Sequence, residues 1–272
     1  GAAAADEWLA GRYDVLHVTD RTIEGAPNTL VEIVPELGMS YVGFRADRPP
    51  FSSELVRKAF SHAVDRERLL TDTRTLARAA TLGGAIPPAM PGHSHRVSPA
   101  YDPDLARSLL AKAGYAEGRG LPELDLLAAA GTPSVGELAE QWSELGARVN
   151  VVRVGEHVWS SHLDGHQMWV SGWTADYPDP DGFFRGLFYG TGWPFYRDDE
   201  IDGLIAKARS LRDQGERMRL YHEVDRLWVA EHAAILPLFY NRRMLVRRPW
   251  VEGLWANPLT QAQLDQVVVR RQ

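Results

Sequence analysis

Val170–Phe184 reads VSGWTADYPDPDGFF. Its opening residues continue a strand expected over Gln167–Gly172. That strand runs into a tryptophan, three carboxylates and two prolines. A turn needs one proline and one Asp or Asn, so the stretch holds more polar chemistry than turning the chain requires. Asp179 and Asp181 have an ordinary reading as caps of the turn and of a helix beginning near Phe183, because Asp-Pro and Pro-Asp steps initiate turns. Asp176 differs, standing just past a strand end between Trp173 and Tyr177. A carboxylate beside aromatic faces can seat an ammonium group through ion pairing and cation–π attraction. Paired carboxylates can also act as acid and base in glycoside hydrolysis, provided they face each other across a substrate.

Outward from this stretch, strand and helix alternate. Leu124–Leu127 reads as a strand, Ser134–Leu145 as a helix, Val149–Val154 as a strand and Glu156–Leu163 as a short helix. Downstream, helices over 200–213 and 215–232 precede a buried strand, AILPLFY (Ala234–Tyr240), and two strand-like runs, MLVRRP and QLDQVVVRR. This order predicts an α/β fold with a mixed sheet flanked by helices. Towards the N-terminus a short helix (Ala4–Ala10) precedes strands at Tyr13–Val18, Thr29–Val34 and Met39–Ala46. SSELVRKAFSHAVDRERLL then reads as an amphipathic helix, with Ser52 or Ser53 as cap and Leu55, Ala59, Phe60 and Ala63 as apolar stripe. Residues 83–100 form a Gly- and Pro-rich loop too long for a simple connector. Tyr101–Gly114 carries its own punctuation: Asp102 as N-cap, Pro103 at the first helical position and Gly114 as the stop.

The 272 residues suffice for one large domain or two ordinary ones, and 44% hydrophobic content is that of a chain with a core. A net charge of -6 with scattered basic residues argues against a nucleic-acid partner. The absence of cysteine excludes disulfides, thiolate metal sites and a cysteine nucleophile. No apolar run approaches the roughly 20 residues that cross a bilayer. The first residues, GAAAADEWLAGRYDV, lack an initiating Met and a signal-peptide pattern and read as a processed or engineered start.

Other chemistry is sparse. His93 and His95 lie in the long loop, and His157, His162 and His166 cluster later. Only His162 and His166 have i, i+4 spacing, but Gly165 interrupts them and no HExxH occurs, so solvated histidines are expected and no metal site. Neither a G-x-S-x-G elbow nor a phosphate-binding glycine loop is present, so no catalytic residue is assigned. The aromatics Trp142, Trp159, Trp169, Trp173, Trp193 and Phe195 divide between core and site. The glycine-punctuated GLFYGTGWPFYRDD either lines a concave ligand site or folds onto its own rings.

Four segments in order resemble the family 5 extracellular solute-binding proteins, the oligopeptide, dipeptide and nickel-binding class that feeds ABC importers. PPFSSELVRKAFSHAVDRERLL resembles the family's strand followed by a VRxAhxxAhDRxxL helix. YDPDLARSLLAKAGY resembles its YDPxxAxxLLxxAGY helix, and VSGWTADYPDPDGFF its strand-end motif GWxADYxDPxxF. AAILPLFYNRRMLVRRPWVEGL resembles the segment that returns the chain towards its end. Members are usually near twice this length. The resemblance therefore implies a periplasmic-binding-protein-like lobe (domain III) over 38–243, with residues 1–37 and 244–272 a strand remnant of the hinge-side lobe (domain I). Crossings near Met39–Gly43 and Asn241–Arg247 would be the hinge strands.

The same resemblance implies a binding protein rather than an enzyme, without cofactor, that takes peptides or a related cationic solute between lobes that close. An ABC transporter permease would be the partner of the intact protein. The location would be extracellular, as a cell-surface lipoprotein or in a periplasm. Asp176 matches the family's aspartate that pairs with a peptide α-ammonium, Trp173 and Tyr177 line the cleft beside it, and Tyr240 matches a tyrosine that contacts the ligand backbone. Basic residues for the peptide carboxylate are not identifiable, so a non-peptide cation stays open. Alternatives are a ligand-sensing domain fused to a regulator and, remotely, a glycoside hydrolase. A lobe without its partner would expose apolar strand edges, a route to self-association.

Overall fold

The chain organises around two long antiparallel strands that a punctuated sequence conceals. The computed structural model describes residues 2–18, 23, 25–71, 78–80, 82–186, 195–259, 262, 263 and 265–270. Helix α1 (Ala2–Leu9), strand β1 (Val15–Val18) and strand β2 (Leu30–Phe44) come first. Helices α2 (Glu54–His62) and α3 (Arg66–Thr71), strand β3 (Arg78–Ala80) and helix α4 (Pro103–Lys112) follow. An alternating stretch comprises β4 (Leu124–Ala129), α5 (Val135–Ser143), β5 (Val149–Val154), a 3-10 segment (Glu156–Gly165) and β6 (Met168–Thr174). Then come α6 (Pro180–Arg185), α7 (Asp199–Ser210), α8 (Gln214–Asp225) and β7 (Ile235–Arg247).

These strands form one mixed sheet in the order β1-β7-β2-β6-β4-β5, with β3 also on β7. β2 pairs antiparallel with both β6 and β7, whereas β4 pairs parallel with β5 and β6. The C-terminal ends of β4, β5 and β6 therefore share one edge, the edge at which open α/β sheets place ligands. Helices cover both faces, as the alternation predicts. On one face α2, α4 and α5 bury Phe44, Phe51, Phe60 and Trp142. Their rings pack in series with centroids 4.9, 5.1 and 5.4 Å apart, and the Trp142 indole N–H donates to the Phe60 carbonyl at 2.9 Å. Each such buried ring contributes about 1.5–3 kcal/mol. On the opposite face α6, α7 and α8 bury Phe183, Phe184, Ile201 and Tyr221 against Met39, Tyr41 and Tyr240. The far end of the sheet, around β1, has two small clusters, Trp8–Ile23–Val246 and Val34–Leu245–Ala256.

Local chemistry explains the helix boundaries. Asp102 accepts the Leu105 amide hydrogen at 2.9 Å with Pro103 beginning α4, and Gly114 takes φ +94 beyond its end. Asp198 accepts from the amides of Glu200 and Ile201 at the head of α7.

Several expectations need correction. Thr29–Val34 and Met39–Ala46 belong to one strand, β2. Pro35 pairs with Arg242 and Met39 with Tyr240, so β2 advances four residues while β7 advances two, and Glu36–Gly38 bulge. AILPLFY and MLVRRP likewise merge into β7, with Pro237 inside it opposite Tyr41. Pro35 and the polar run 241–243 separate these segments in the sequence, but Pro35 pairs with Arg242 and Val34 with Arg243, so the ladder runs through both. Ser53 stands at the head of α2 without a side-chain cap bond, and Val56 takes the core position expected of Leu55, which is half-buried. The second long helix ends as an α-helix at Asp225 and continues as a π-turn over Arg226–Glu231. Of Gln263–Arg271, Val268–Val269 form a two-residue strand on Val251–Glu252.

Candidate ligand-binding site

The bulge in β2 sets up the site. Leu37, displaced from the β7 ladder, offers its carbonyl to the Ala175 amide at 2.8 Å, so pairing persists one residue beyond the end of β6. Asp176 follows immediately and is exposed. From there the turn is locked by its own polar groups. The Asp179 amide donates to the Tyr177 carbonyl at 2.8 Å, and the Asp179 side chain accepts the Asp181 amide hydrogen at 2.9 Å as α6 begins. Trp173 folds back so that its indole N–H donates to the Gly182 carbonyl at 3.0 Å. Gly186 lies under the ring: a Cβ there would come 2.2 Å from Trp173.

The three carboxylates thus separate by role. Asp179 is gripped by both terminal nitrogens of Arg217, one of them at 2.7 Å. That bond, ahead of the cost of burial, raises the Arg217 pKa. Asp181 is buried and accepts from the Tyr177 hydroxyl at 2.9 Å and the Tyr221 hydroxyl at 3.4 Å, with Arg209 at 3.3 Å. Asp176 has no hydrogen-bond or ion-pair partner among the described residues. Two carboxylates facing each other across an open substrate are therefore not what this turn supplies, since Asp179 and Asp181 are held by arginines and tyrosines.

Trp173 and Tyr240 share a sheet face. Met39 pairs with Trp173 across β6 and with Tyr240 across β7, so the three side chains stand in one row. Trp173 is half-buried; Tyr240 is 6% exposed, and its hydroxyl donates to the Gly84 carbonyl at 3.1 Å. The structure thus sets Trp173 and Tyr177 against the first turn of α6, leaves Asp176 exposed on the turn between them, and sets Tyr240 deeper, against the 83–100 loop. Tyr177 commits its hydroxyl to Asp181, and its pKa is raised by burial first and by that carboxylate second.

On the other sheet face a cavity of ≈ 270 Å³ lies between Ser40, Gly172 and Phe239 on the strands and the loop Thr132–Ser134 with Leu138 of α5. Gly172, on β6, is four residues before Asp176, which lies just past that strand's end. Arg153, exposed at the end of β5, donates to the Thr132 carbonyl at 3.0 Å. No charged side chain lines this cavity among the described residues.

The aromatic loop resolves in part. Phe195 is buried against Trp169, centroids 5.2 Å apart, with the Arg45 guanidinium 4.0 Å over its ring, so it is a core residue. Residues 187–194, with Trp193, and the side chain of Trp159 lie outside the described residues, as does the side chain of His157. His162 neighbours Ser161 at 3.2 Å, and His166 stands 3.5 Å from Asp125. No group of three potential metal ligands stands together among the described residues.

The profile described as "Bacterial extracellular solute-binding proteins, family 5 Middle" matches residues 1–195. The chain belongs to this family. Among its family 5 relatives, a probable di/tripeptide-binding protein 5 of Pseudomonas aeruginosa is 31% identical over 260 residues, covering 89% of this chain and 48% of that protein. The glutathione-binding protein GsiB of Salmonella typhimurium is 25% identical, covering 88% of this chain and 50% of its own. A dipeptide-binding protein from Pseudoalteromonas sp. SM9913, solved with Met-Leu, superposes with a TM-score of 0.81 at 24% identity, over 99% of this chain and 56% of that one. The chain spans about half the length of the curated relatives it matches.

Sequence reasoning about this family 5 chain missed the cavity loop and Arg153. The available signal was position: Gly131-Thr132-Pro133-Ser134 follows the C-terminal end of a parallel strand and precedes a helix, where α/β sheets bind ligands.

Proposed function

We propose that the chain is the ligand-contacting part of a substrate-binding protein of an ABC-type importer, taking the ammonium end of a short peptide or related cationic solute at Asp176. The observation that carries this is the division of labour among three aspartates. Two are consumed by arginines and tyrosines that fix the turn, and the third, three residues after Trp173, is left exposed. An exposed carboxylate with no partner among the described residues, on a turn that also carries an indole, suits an ammonium group. The di/tripeptide- and glutathione-binding relatives support the same ligand class.

In this reading residues 38–243 form the lobe that carries the site, and residues 1–37 with 244–272 are the hinge-side remnant, joined through β2 and β7. The chain acts in binding rather than catalysis, outside the cytoplasmic membrane, as a cell-surface lipoprotein or in a periplasm, delivering to a permease. Leu30, Val31, Ile33, Trp255 and Val269, all in the remnant, are exposed apolar residues that favour self-association. A concentration-independent monomer in analytical ultracentrifugation would count against that association.

Calorimetry with dialanine and its N-acetylated form tests the ligand reading. Free dialanine is expected to bind and the acetylated peptide, lacking the ammonium, to lose at least tenfold in affinity. Equal binding of the two removes the role given to Asp176.

A further inference from the structure

Residues 82–98 close on themselves and then dock on the sheet face that carries the site. The amides of Val97 and Ser98 both donate to the Leu82 carbonyl, at 2.8 and 3.0 Å, and the Ser98 hydroxyl donates to the Gly83 carbonyl. The Tyr240 hydroxyl donates to the Gly84 carbonyl at 3.1 Å, and the His93 ring stands edge-on to Tyr240 with centroids 5.5 Å apart. Farther along, a Cβ on Gly92 would come 3.1 Å from the Met218 sulfur and 3.4 Å from Pro180. Pro180 opens α6 directly after Asp179, and Met218 follows Arg217, which grips Asp179. The loop therefore leans both on Tyr240 and on the turn that carries Asp176.

Asp225 fastens this loop to α8. Its side chain is fully buried, and Oδ1 accepts the Ala85 amide hydrogen at 2.7 Å. Oδ2 is buried as well and has no hydrogen-bond partner among the described residues, while Gly84 packs directly against the carboxyl. The titratable groups around it are occupied elsewhere or turned outward. Tyr240 of β7 and His93 of the loop are engaged with the Gly84 and Ile86 carbonyls. On α8, Tyr221 meets Arg217 and Asp181, and His222 is exposed. Arg226 is tied to Glu223, and on α7 Asp198 caps its own helix and Asp202 is half-buried. None of these charges acts on Asp225, whose proton is governed by burial first and by the amides of Ala85 and Ile86 second, which sets its pKa at about 7. A buried carboxylate with one oxygen unpaired is far less favourable than the neutral carboxyl.

We propose that residues 82–98 are a proton-controlled latch: the neutral Asp225 carboxyl holds the loop on α8, and ionisation of that carboxyl releases it, taking away the seat of Tyr240. In the open form water reaches both oxygens and the proton passes to solvent. Opening is therefore favoured progressively as pH rises from about 4 to about 7, between the carboxyl's free and buried values, and levels off above. The latch itself needs no ligand; its bearing on ligand binding rests on the reading of Asp176 and Tyr240 given above.

Amide hydrogen exchange read by mass spectrometry on the full 272-residue chain tests the latch. It is run without ligand at pH 5, 6, 7 and 8, with rates corrected for the intrinsic pH dependence of exchange. Peptides covering 82–98 are expected to lose at least tenfold in protection between pH 5 and pH 7 and little more by pH 8. At each pH they should exchange at least tenfold faster than peptides covering α4, because the loop opens while the rest of the fold stays closed. In Asp225→Asn, which is neutral throughout, the loop should keep its pH 5 protection. The variant retains His93 and His95, so the difference between the two chains belongs to Asp225. Loop protection that is constant with pH, that falls equally in the variant, or that matches the protection of α4 overturns the proposal. None of these outcomes depends on peptide binding, so the latch and the ligand reading fail separately.

Discussion

Arg217 holds Asp179 with both guanidinium nitrogens, tying the first turn of α8 to the turn that carries Asp176. The pair is largely buried, with side-chain exposures of 13% and 26%. Removing Arg217 leaves a buried carboxylate with its helix-cap bond but without its cation. Arg217→Ala is expected to cost about 2–3 kcal/mol, read as a lower urea midpoint with unchanged slope. Arg217→Lys should recover only part of this, because an ammonium lacks the two-pronged geometry. A midpoint equal to that of the parent would mean that the turn is held by Asp181 and its tyrosines alone.

Asp225 gives the fold a pH dependence of defined sign. Its side chain is fully buried at the end of α8 and accepts the Ala85 amide hydrogen at 2.7 Å. Burial, only partly offset by the amides of Ala85 and Ile86, pushes its pKa from 3.8 up to about 7. The folded chain therefore holds this proton more tightly than the unfolded chain. Stability is expected to fall as pH rises from about 4 to about 7 and to level off above, by up to roughly 4 kcal/mol for this group. Asp225→Asn keeps an acceptor for Ala85 without the charge, so it should flatten that slope in thermal melts from pH 4.5 to 8. An unchanged slope would assign the pH dependence to other groups.

Gly84 is confined by the same carboxylate. A Cβ at this position would lie 2.0 and 2.2 Å from the two Asp225 oxygens, while the Gly84 carbonyl is bound to Tyr240. Gly84→Ala must push the loop away from α8, at an expected cost of about 3 kcal/mol. Asp225→Ala opens the space, so the double variant should be less destabilised than the two singles together. Simple additivity in urea unfolding would show that the two residues do not share this contact.

Much of the framework was legible because it rests on local chemistry. The strand Val149–Val154 is valine-rich with Asn150 and Arg153 exposed, and α4 is bracketed by Asp102, Pro103 and Gly114, each acting on the backbone close to itself in sequence. The two central strands were read as four because Pro35 and the polar run 241–243 interrupt the apolar pattern, whereas the pairing of β2 with β6 and β7 carries both strands through. At the site, Asp176 stood out by its neighbours. The separation of Asp179 and Asp181 from it depends on Arg217, Arg209 and Tyr221, which lie 28 or more residues away and become partners only after folding.

Asp176 carries the prediction closest to function. The residue is exposed, makes no hydrogen bond or ion pair among the described residues and follows the last backbone bond from the end of β6 to the β2 bulge. Asp176→Asn preserves shape and removes charge, so the fold should be unaffected and the thermal midpoint should stay within a degree or two of the parent. Affinity for a peptide with a free ammonium end should fall by about 1.5–3 kcal/mol, the range for losing a charge-assisted hydrogen bond. Binding should also weaken with salt in the parent more than in the variant, because the exposed carboxylate is open to screening. Isothermal titration with dialanine at two ionic strengths reads both effects. If the variant binds as the parent does while its fold is intact, the ammonium group is held elsewhere. The neutral cavity beside Arg153 then becomes the place to look, since Arg153→Ala would lower peptide affinity only if the ligand's carboxylate end lies there.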